Sequence, residues 1–294
     1  MEQLVEEFVV YLNIVKKASD NTVQSYRRDL SKMISYMKKR EVTRIEDVTE
    51  DRLVSYVAEL KESNLANASI IRSITSIKSF FRYLVENGNI SDNPSETLKA
   101  PKAEKNAPRV LSGYEIDALL NQPFSDDPKG KRDKAILELL YATGLKVSEV
   151  ISIKLENIDM SLSCLRLSDG RVIPYGKKAK EALHSYLFFA RDQLITKGLG
   201  EGEDTTVFLN YSGEPMSRQG LWKLIKAYVK KADIDMDITP GTLRHSFISH
   251  LIDNGADARV VQEMMGYTDK GTIAKYIKMN QKTHDPYEWA RIRN

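Results

Sequence analysis

Apolar residues recur at helical spacing through the first part of the chain, with polar residues between them. Four separate runs keep intervals of three and four residues, so each predicts a helix with one apolar face. The apolar positions are 4, 8, 11, 12 and 15 in the first run, 23, 26, 30, 33 and 37 in the second, 53, 56, 57 and 60 in the third, and 70, 71, 74, 77, 80, 81 and 84 in the fourth. Asp20 is a candidate N-cap of the second helix, and Gly88 is a candidate stop for the fourth. The pattern predicts a small helical bundle.

The stretch from residue 100 to residue 109 interrupts this periodicity. It follows Asn93 and Pro94, carries two prolines and alternating charge, and has no apolar repeat. Such a composition is typical of an extended interdomain linker. We therefore expect two domains, at 1–99 and 110–294, which agrees with a prior of roughly 100–200 residues per domain.

The second domain is predicted to be mostly helical with a small antiparallel β-sheet. Ser112 and Glu115 have capping-box spacing, and an apolar run at 135–142 ends at Gly144. Residues 164–167 and 171–174 alternate around an Asp-Gly pair, which predicts a β-hairpin. Further helices are predicted at about 177–197, 217–231, 240–253, 257–265 and 271–279. The fold class is therefore mainly α.

The overall charge is weak evidence for a nucleic-acid partner, because 44 basic residues face 41 acidic ones and the net charge is only +3. The clusters of basic residues are more informative than the total. They lie at 38–40, at 129–132, at 177–180, and at positions 223, 226, 230 and 231. Any one cluster is typical of a solvated helix face, but several across both domains favour a DNA-binding groove.

Several other classes of protein are disfavoured by the sequence. No run approaches the ~20 apolar residues of a membrane span, and the acidic, amphipathic N-terminus does not resemble a signal peptide. Cys164 is the single cysteine, which fits a reducing, cytoplasmic compartment. The four histidines, at 184, 245, 250 and 284, show no familiar metal-ligand spacing, and no phosphate-binding loop is present. We therefore expect no metal ion, no cofactor and no membrane partner.

An arginine, an aromatic residue and a tyrosine follow one another in the C-terminal helices, at Arg244, Tyr267 and Tyr276. Cleavage and rejoining of a DNA strand without a metal requires a nucleophile that holds the strand covalently. It also requires donors that stabilise the charge on the phosphate in the transition state. A tyrosine suits the first task, and the planar fork of an arginine suits the second.

Four segments resemble tyrosine recombinases of the phage integrase family, in particular those of the Xer type. They are NTVQSYRRDL at 21–30, YATGLKVSEV at 141–150, LRHSF at 243–247 and NGADARVVQ at 254–262. The resemblance covers nearly the whole chain and implies an N-terminal SAM-like core-binding domain followed by the catalytic fold of the family. It also implies double-stranded DNA as the partner, and site-specific strand cleavage and rejoining through a 3′-phosphotyrosyl intermediate.

The resemblance assigns roles to single positions. Arg244 matches the second catalytic arginine of the family, Tyr276 matches the nucleophile, and His245 matches a common neighbour of the arginine. Lys146 stands at the position of the first catalytic arginine, and Tyr267 at that of a histidine or tryptophan. We take Tyr276, Arg244, Lys146 and Tyr267 as the candidate catalytic residues. The candidate DNA-binding residues are Arg27, Arg28, Lys38, Lys39, Arg171, Lys177, Arg218 and His245.

Two further departures from the family pattern bear on activity. Gly241 stands where the family has a histidine, and the hairpin lysine has no counterpart, with Arg171 or Lys177 as the nearest cation. Lys146 is either a weakened phosphate clamp or a positioning contact, whereas Tyr267 can replace its counterpart in part. Loss of one preorganised donor typically costs about 10²–10³ in rate, and such losses are not additive. We therefore expect impaired catalysis.

Three functions stay open on the sequence. The chain is a recombinase that uses Tyr276, a DNA-binding or regulatory protein of recombinase descent that no longer cuts, or a helical protein-interaction module. The resemblance also implies homo- or hetero-oligomers that form on DNA through an exchanged C-terminal segment. The tail from about residue 281 carries Tyr287, Trp289 and Ile292, which either dock on a neighbour or fold back.

Overall fold

A computed structural model of the chain describes residues 1–102, 108–122, 126–195, 205–235, 238–267 and 269–283. The side chains at 270 and 278–283 are outside this description. The chain divides into two compact units, Met1–Lys105 and Asn106–Asn294. Half of the expected linker, at 103–107, and the part of the expected tail from residue 284 onward lie outside the described residues.

The N-terminal unit is a bundle of four helices, as the periodicity predicted. They are α1 (Glu2–Ile14), α2 (Asp20–Lys38), α3 (Glu50–Glu62) and α4 (Asn67–Glu86), with a short 3-10 helix at Ile45–Asp47. The apolar faces meet in one core, in which Phe8, Leu30 and Phe80 are fully buried. Gly88 follows α4 with φ +70°, a left-handed conformation that glycine adopts at little cost.

One capping prediction for this unit is wrong. Asp20 is the first residue of α2, and the N-cap is Ser19, whose hydroxyl accepts from the backbone N–H of Thr22. The two residues are adjacent and both are good caps, so the apolar pattern alone did not separate them. Inside the bundle, Asp29 is buried and receives two hydrogen bonds from Arg72, at 2.8 and 3.0 Å.

The C-terminal unit is mostly helical in the residues that are described. Its helices are α5 (Gly113–Leu120), α6 (Pro128–Thr143), α7 (Val147–Ser152), α8 (Lys177–Phe189), α9 (Arg191–Leu194), α10 (Arg218–Lys231), α11 (Pro240–Asp253), α12 (Ala258–Met265) and α13 (Lys270–Thr283). A 3-10 helix at Leu155–Asn157 precedes the sheet. The predicted capping box at the start of α5 is present, with Ser112 and Glu115 bonded reciprocally.

The sheet has three short antiparallel strands in the order β1 (Ile158–Asp159), β2 (Cys164–Arg166) and β3 (Val172–Pro174). The register pairs Leu165 with Ile173, and both side chains are fully buried against the helices. Gly170 has φ +87° in the turn between β2 and β3, as the Asp-Gly pair required. The predicted hairpin is thereby confirmed.

Helix α6 lies at the centre of the C-terminal core. Its residues from Ala135 to Leu140 are almost all buried, and α8 and α11 pack against it. It ends where Gly144 adopts φ +59°, which is the predicted stop. The helix thus joins two polar ends: Arg132 near its start and the Gly144 turn at its end, about 18 Å apart at 1.5 Å per residue.

The single helix expected at about 177–197 is shorter in the structure. Helix α8 ends at Phe189, and Ala190 leaves helical geometry with φ −137° before the one-turn helix α9. Arg191 is buried there, and its guanidinium donates to the carbonyls of Thr206 and Val207. These hydrogen bonds hold Arg191 inside the core next to the break at Ala190. The spacing of apolar residues does not predict this break. Among the described helices, none is long and apolar enough to cross a membrane.

Candidate active site

The guanidinium of Arg244 is held at the end of α6. Arg244 lies in α11, is 6% exposed, and donates to the backbone carbonyls of Gly144 at 2.6 Å and Met265 at 2.9 Å. Its Nε donates to the hydroxyl of Tyr267 at 3.1 Å. Two segments that are far apart in sequence, at the ends of α6 and α12, therefore fix one arginine side chain.

Two glycines make this arrangement sterically possible. Both end a helix in the left-handed conformation: Gly144 after α6 and Gly266 after α12. A Cβ on Gly144 would come within 2.4 Å of the Phe247 ring, and one on Gly266 within 3.1 Å of the Arg171 guanidinium. A side chain at Gly144 would thus displace the Phe247 ring, whereas one at Gly266 would need only a small shift of Arg171, and the left-handed conformation favours glycine at both positions.

Tyr267 is positioned by α12 rather than by a helix of its own. Its backbone N–H donates to the carbonyl of Gln262 at 3.1 Å, and its carbonyl accepts from the Gln262 side chain at 3.0 Å. The ring lies 4.9 Å from the Arg244 guanidinium, within cation–π range. Tyr267 therefore offers Arg244 both an aromatic face and a hydroxyl acceptor.

Tyr276 of α13 is fully buried, and its hydroxyl is hydrogen-bonded to Nδ1 of His245. The ring packs with Phe247, Ile248 and Ile273 in a small apolar cluster. Burial raises the pKa of this hydroxyl far above its ordinary value, and the charge and hydrogen bond of nearby Tyr267 act in the same direction. The hydroxyl is therefore neutral near pH 7.

Glu149 is a carboxylate at the centre of the site's basic residues. Its Oε1 accepts from Arg171 at 2.5 Å and lies 3.7 Å from Nζ of Lys146, while Oε2 lies 3.9 Å from Arg244. Oε2 also accepts from the backbone N–H of Lys146 at the start of α7. Glu149 was not among the residues predicted from the sequence. A glutamate at the third position of a helix is usually a capping residue, so nothing in the sequence indicated that Glu149 also binds Arg171.

Arg171 reaches this cluster from the hairpin. Its side chain is 12% exposed, and it also donates to Asp169 and to the carbonyl of Met264. The turn at 168–170 is short, with Gly170 N–H bonded to the carbonyl of Leu167, and it extends no lysine toward the site. The arginine thus links the hairpin to α12 and to Glu149.

Apart from Arg171, the residues predicted from the sequence fall into two groups. Tyr276, Arg244, Tyr267 and His245 are joined by hydrogen bonds or ring contacts, and Lys146 is connected to them through Glu149. The other candidates are elsewhere on the surface: Arg27 and Lys38 are paired with Glu6 and Glu2, Lys177 is 88% exposed, and Arg28, Lys39 and Arg218 are exposed.

Gly241 is exposed in the first turn of α11. A Cβ there would meet only the hydroxyl of Thr239, at an ordinary contact distance of 3.4 Å. The position is therefore open, and the absence of a side chain is not imposed by packing. Among the described residues, no group of three or more His, Cys, Asp or Glu side chains could hold a metal ion.

The arrangement is chemically suited to an anionic group. Arg244 is a buried cation whose guanidinium binds carbonyls and a hydroxyl, so a phosphodiester that reaches it would meet a fixed donor in a poorly hydrated setting. Tyr276 provides a hydroxyl beside it, and Lys146 adds an exposed positive charge at the rim. The cluster thus brings a tyrosine hydroxyl close to cationic hydrogen-bond donors, the two kinds of group that metal-free strand cleavage requires.

Comparison with known proteins defines the class. The model of the phage integrase family matches residues 109–283, and the model of the phage integrase N-terminal SAM-like domain matches residues 5–88. The chain therefore belongs to the phage integrase family of tyrosine recombinases.

Within that family the chain is of the Xer type. It is 41% identical to the tyrosine recombinase XerD of Halalkalibacterium halodurans over 282 residues, which cover 94% of this chain and 93% of the relative. It is 36% identical to XerD of Staphylococcus haemolyticus, with 96% and 95% covered.

Solved structures share the fold at low sequence identity. The XerH site-specific recombinase in a post-cleavage complex with palindromic difH substrate gives a TM-score of 0.75 at 17% identity, covering 99% of this chain and 84% of that one. The Tn1549 transposon integrase in complex with circular intermediate DNA gives 0.72 at 19% identity, with 94% of both chains covered.

Proposed function

We propose that this protein binds duplex DNA and cleaves one strand by attack of Tyr276 on a phosphodiester, with formation of a 3′-phosphotyrosyl intermediate. Arg244 binds the phosphate as the principal clamp, Lys146 contributes a second positive charge, and Tyr267 holds Arg244 in place. The single observation that carries this proposal is the connected cluster of Arg244, Tyr267, Tyr276 and His245 from three helical segments.

The comparisons support DNA as the partner. XerH and the Tn1549 integrase are described as DNA complexes, and the XerD relatives are named as recombinases. In this chain, the phosphate contacts of Arg28, Lys39, Lys177 and Arg218 would supply most of the affinity, since these side chains are exposed. Binding should therefore weaken steeply with salt.

Cleavage is expected to be slow. The histidine position is occupied by Gly241, the hairpin carries no lysine, and Lys146 lacks the two-pronged geometry of an arginine. Each missing donor typically costs about 10²–10³ in rate, although such losses do not add. We propose that the remaining rate comes from Arg244 and Tyr276.

One observation favours a second candidate function, a DNA-binding protein that does not cut. The side chain of Tyr276 is fully buried, so a phosphodiester reaches its hydroxyl only if the residues that cover it move. A chain in which this cover stays closed would bind DNA as an architectural or regulatory protein.

Trapping on a nicked duplex separates the two functions. Duplexes are first selected from a random library by repeated binding, and nicks are then placed at successive positions of the selected sequence. We expect a covalent protein–DNA adduct on a denaturing gel, absent from Tyr276→Phe, which retains DNA binding. Tight binding without any adduct would establish the second function, and an adduct that persists in Tyr276→Phe would exclude Tyr276 as nucleophile.

The domain limits and the tail are part of the same proposal. We assign residues 1–99 to DNA binding, 100–109 to the linker and 110–294 to catalysis, and we propose that protomers meet on DNA through the tail from about residue 281. Truncation after residue 283 should then leave binding of one protomer intact and abolish higher complexes in a gel-shift titration. Higher complexes that survive the truncation would contradict the tail's role.

A further inference from the structure

The side chain of His245 faces Tyr276 rather than open solvent. His245 follows Arg244 in α11, and the two residues serve different partners: Arg244 binds Gly144 and Met265, whereas Nδ1 of His245 is bonded to the Tyr276 hydroxyl of α13. The rings of His245 and Tyr276 lie 5.9 Å apart between centroids. This contact spans 31 positions of the sequence.

The position of His245 is also related to that of Gly241. Residues four apart lie on the same face of a helix, so His245 is one turn beyond Gly241 on the same side of α11. Gly241 has no side chain with which to move a proton, whereas His245 places an imidazole next to the attacking oxygen. The helix therefore carries an imidazole on this face, one turn beyond Gly241.

We propose that His245 is the general base of this site, which accepts the phenol proton of Tyr276 as the tyrosine attacks the phosphodiester. This assignment rests on the proposed function, because it concerns the cleavage step. The proton of Tyr276 Oη moves to Nδ1 of His245, and the Oη–P bond forms while the P–O5′ bond breaks. The leaving 5′-oxygen takes a proton from solvent, so atoms and charge balance.

The surroundings favour the neutral imidazole that this role requires. Burial lowers the pKa of His245, and the positive charges of Lys275 on α13 and Arg244 on its own helix act in the same direction. Tyr276 on α13 also faces the ring. A base must be unprotonated before attack, and a group within hydrogen-bond reach of the proton meets the geometric requirement.

Two variants separate a base from a positioning contact. In His245→Asn, the amide oxygen can accept a hydrogen bond near the place of Nδ1 but cannot take up a proton. In His245→Ala, both the contact and the basicity are lost. General base catalysis contributes typically about 10²–10⁴-fold, so we expect both variants to form the Tyr276 adduct at least about 10²-fold more slowly than the unmodified protein.

Adduct formation is measured on the nicked duplex with an ordinary phosphodiester and with a 5′-bridging phosphorothiolate, whose sulfur leaves without a proton. A base acts on the nucleophile, so the defect of His245→Asn should persist on both substrates. Added imidazole should accelerate His245→Ala. In the unmodified protein, the rate should fall as the pH is lowered through a pKa below about 6.5, and this limb should be absent from His245→Asn.

Each other outcome overturns the assignment in a distinct way. An unimpaired His245→Asn beside a slow His245→Ala would make His245 a positioning residue only. A defect that disappears on the phosphorothiolate would make it the proton donor to the leaving oxygen. If the unmodified protein binds DNA but forms no adduct on either substrate, the proposed cleavage itself fails, and the base assignment falls with it.

Discussion

Two buried arginines lie near the two ends of α6, and their partners differ. Arg132 is 2% exposed and donates twice to Asp133, at 2.6 and 2.9 Å, and once to the carbonyl of Leu209. Arg244 is 6% exposed and donates to two carbonyls and a tyrosine hydroxyl. Among the described residues, its nearest carboxylate is Glu149, at 3.9 Å.

On the proposed function, the difference corresponds to a structural arginine and one that binds the substrate. The charge of Arg132 is neutralised by a direct ion pair, and Asp133 is further held by the hydroxyl of Tyr228. The guanidinium of Arg244 is oriented by neutral groups, and these do not neutralise its positive charge. The charge is therefore able to attract a bound anion. The two arginines are similarly buried but have different partners, and we expect them to have different roles.

The largest expected effect is on stability, at Arg132. In Arg132→Met, Asp133 is left as an uncompensated buried charge, so we expect the free energy of unfolding to fall by about 3–5 kcal/mol. Trp222 and Trp289, the two tryptophans of the chain, both belong to the C-terminal unit, so their fluorescence during urea unfolding reports on that unit.

A double variant and a surface variant are the controls for this prediction. Arg132→Met with Asp133→Leu removes both charges and should recover part of the loss, because an apolar pair avoids the desolvation cost. Lys177→Met breaks an exposed pair with Glu181 in the same C-terminal unit and should destabilise the protein far less than Arg132→Met. If Arg132→Met were as mild as Lys177→Met, Arg132 would not be the structural member of the comparison.

The second effect is on cleavage, at Arg244. Arg244→Ala removes a fixed donor from the phosphate, so we expect adduct formation on the nicked duplex to fall by about 10²–10³-fold. Arg244→Lys keeps the charge but loses the fork, and it should recover only a small part of the rate. A rate that falls only in proportion to the folded fraction would give Arg244 the same structural role as Arg132.

The sequence predicted the surroundings of the two arginines to different extents. Helices α1 to α4 and α11 follow from local periodicity, and the Gly144 stop and the Asp-Gly turn follow from single residues. Arg244 was identified through the family resemblance, because the residues of its motif, at 243–247, follow one another in the sequence. Arg132 was counted in the basic cluster at 129–132, and this interpretation is wrong for it, because its side chain is buried and paired with the adjacent Asp133. Nothing local in the sequence shows this burial, and the hydrogen bond to Leu209 spans 77 positions.

The same limit applies within the site. Arg171 meets Glu149 across 22 positions, and His245 meets Tyr276 across 31. Arg171 was a candidate for DNA contact as a cation near the place of the missing hairpin lysine, and His245 was a candidate through the family resemblance. Their inward partners depend on how α7, α12 and α13 pack, which no local pattern encodes.

The third effect is a gain of cleavage from a second arginine near Arg244. Lys146→Arg with Gly241→His supplies two groups that the family pattern expects, and Gly241 is exposed with open space for a side chain. We expect adduct formation to rise by roughly 10-fold or more, less than the sum of two donors because effects within one site are not additive. Each single variant is the matched control.

An inert double variant that still binds the same DNA would locate the deficiency elsewhere. The short hairpin turn at 168–170 would then be the better explanation, because it carries no lysine toward the site. A gain in Lys146→Arg alone would show that the phosphate clamp limits the rate, whereas a gain in Gly241→His alone would point to proton transfer.

The smallest effect is expected at Tyr267, whose hydroxyl distinguishes the setting of Arg244 from that of Arg132. Tyr267→Phe keeps the ring over the guanidinium but removes the acceptor of its Nε hydrogen bond. One such bond contributes about 0.5–1.5 kcal/mol, so we expect a comparable loss in the free energy of unfolding and a roughly 10-fold slower adduct formation. Tyr228→Phe, which removes a hydroxyl donor to Asp133 at the other end of α6, is the matched control and should affect stability without a specific effect on cleavage. Equal effects of the two variants on both measurements would mean that the Tyr267 hydroxyl only supports the fold, and that the carbonyls of Gly144 and Met265 suffice to orient Arg244.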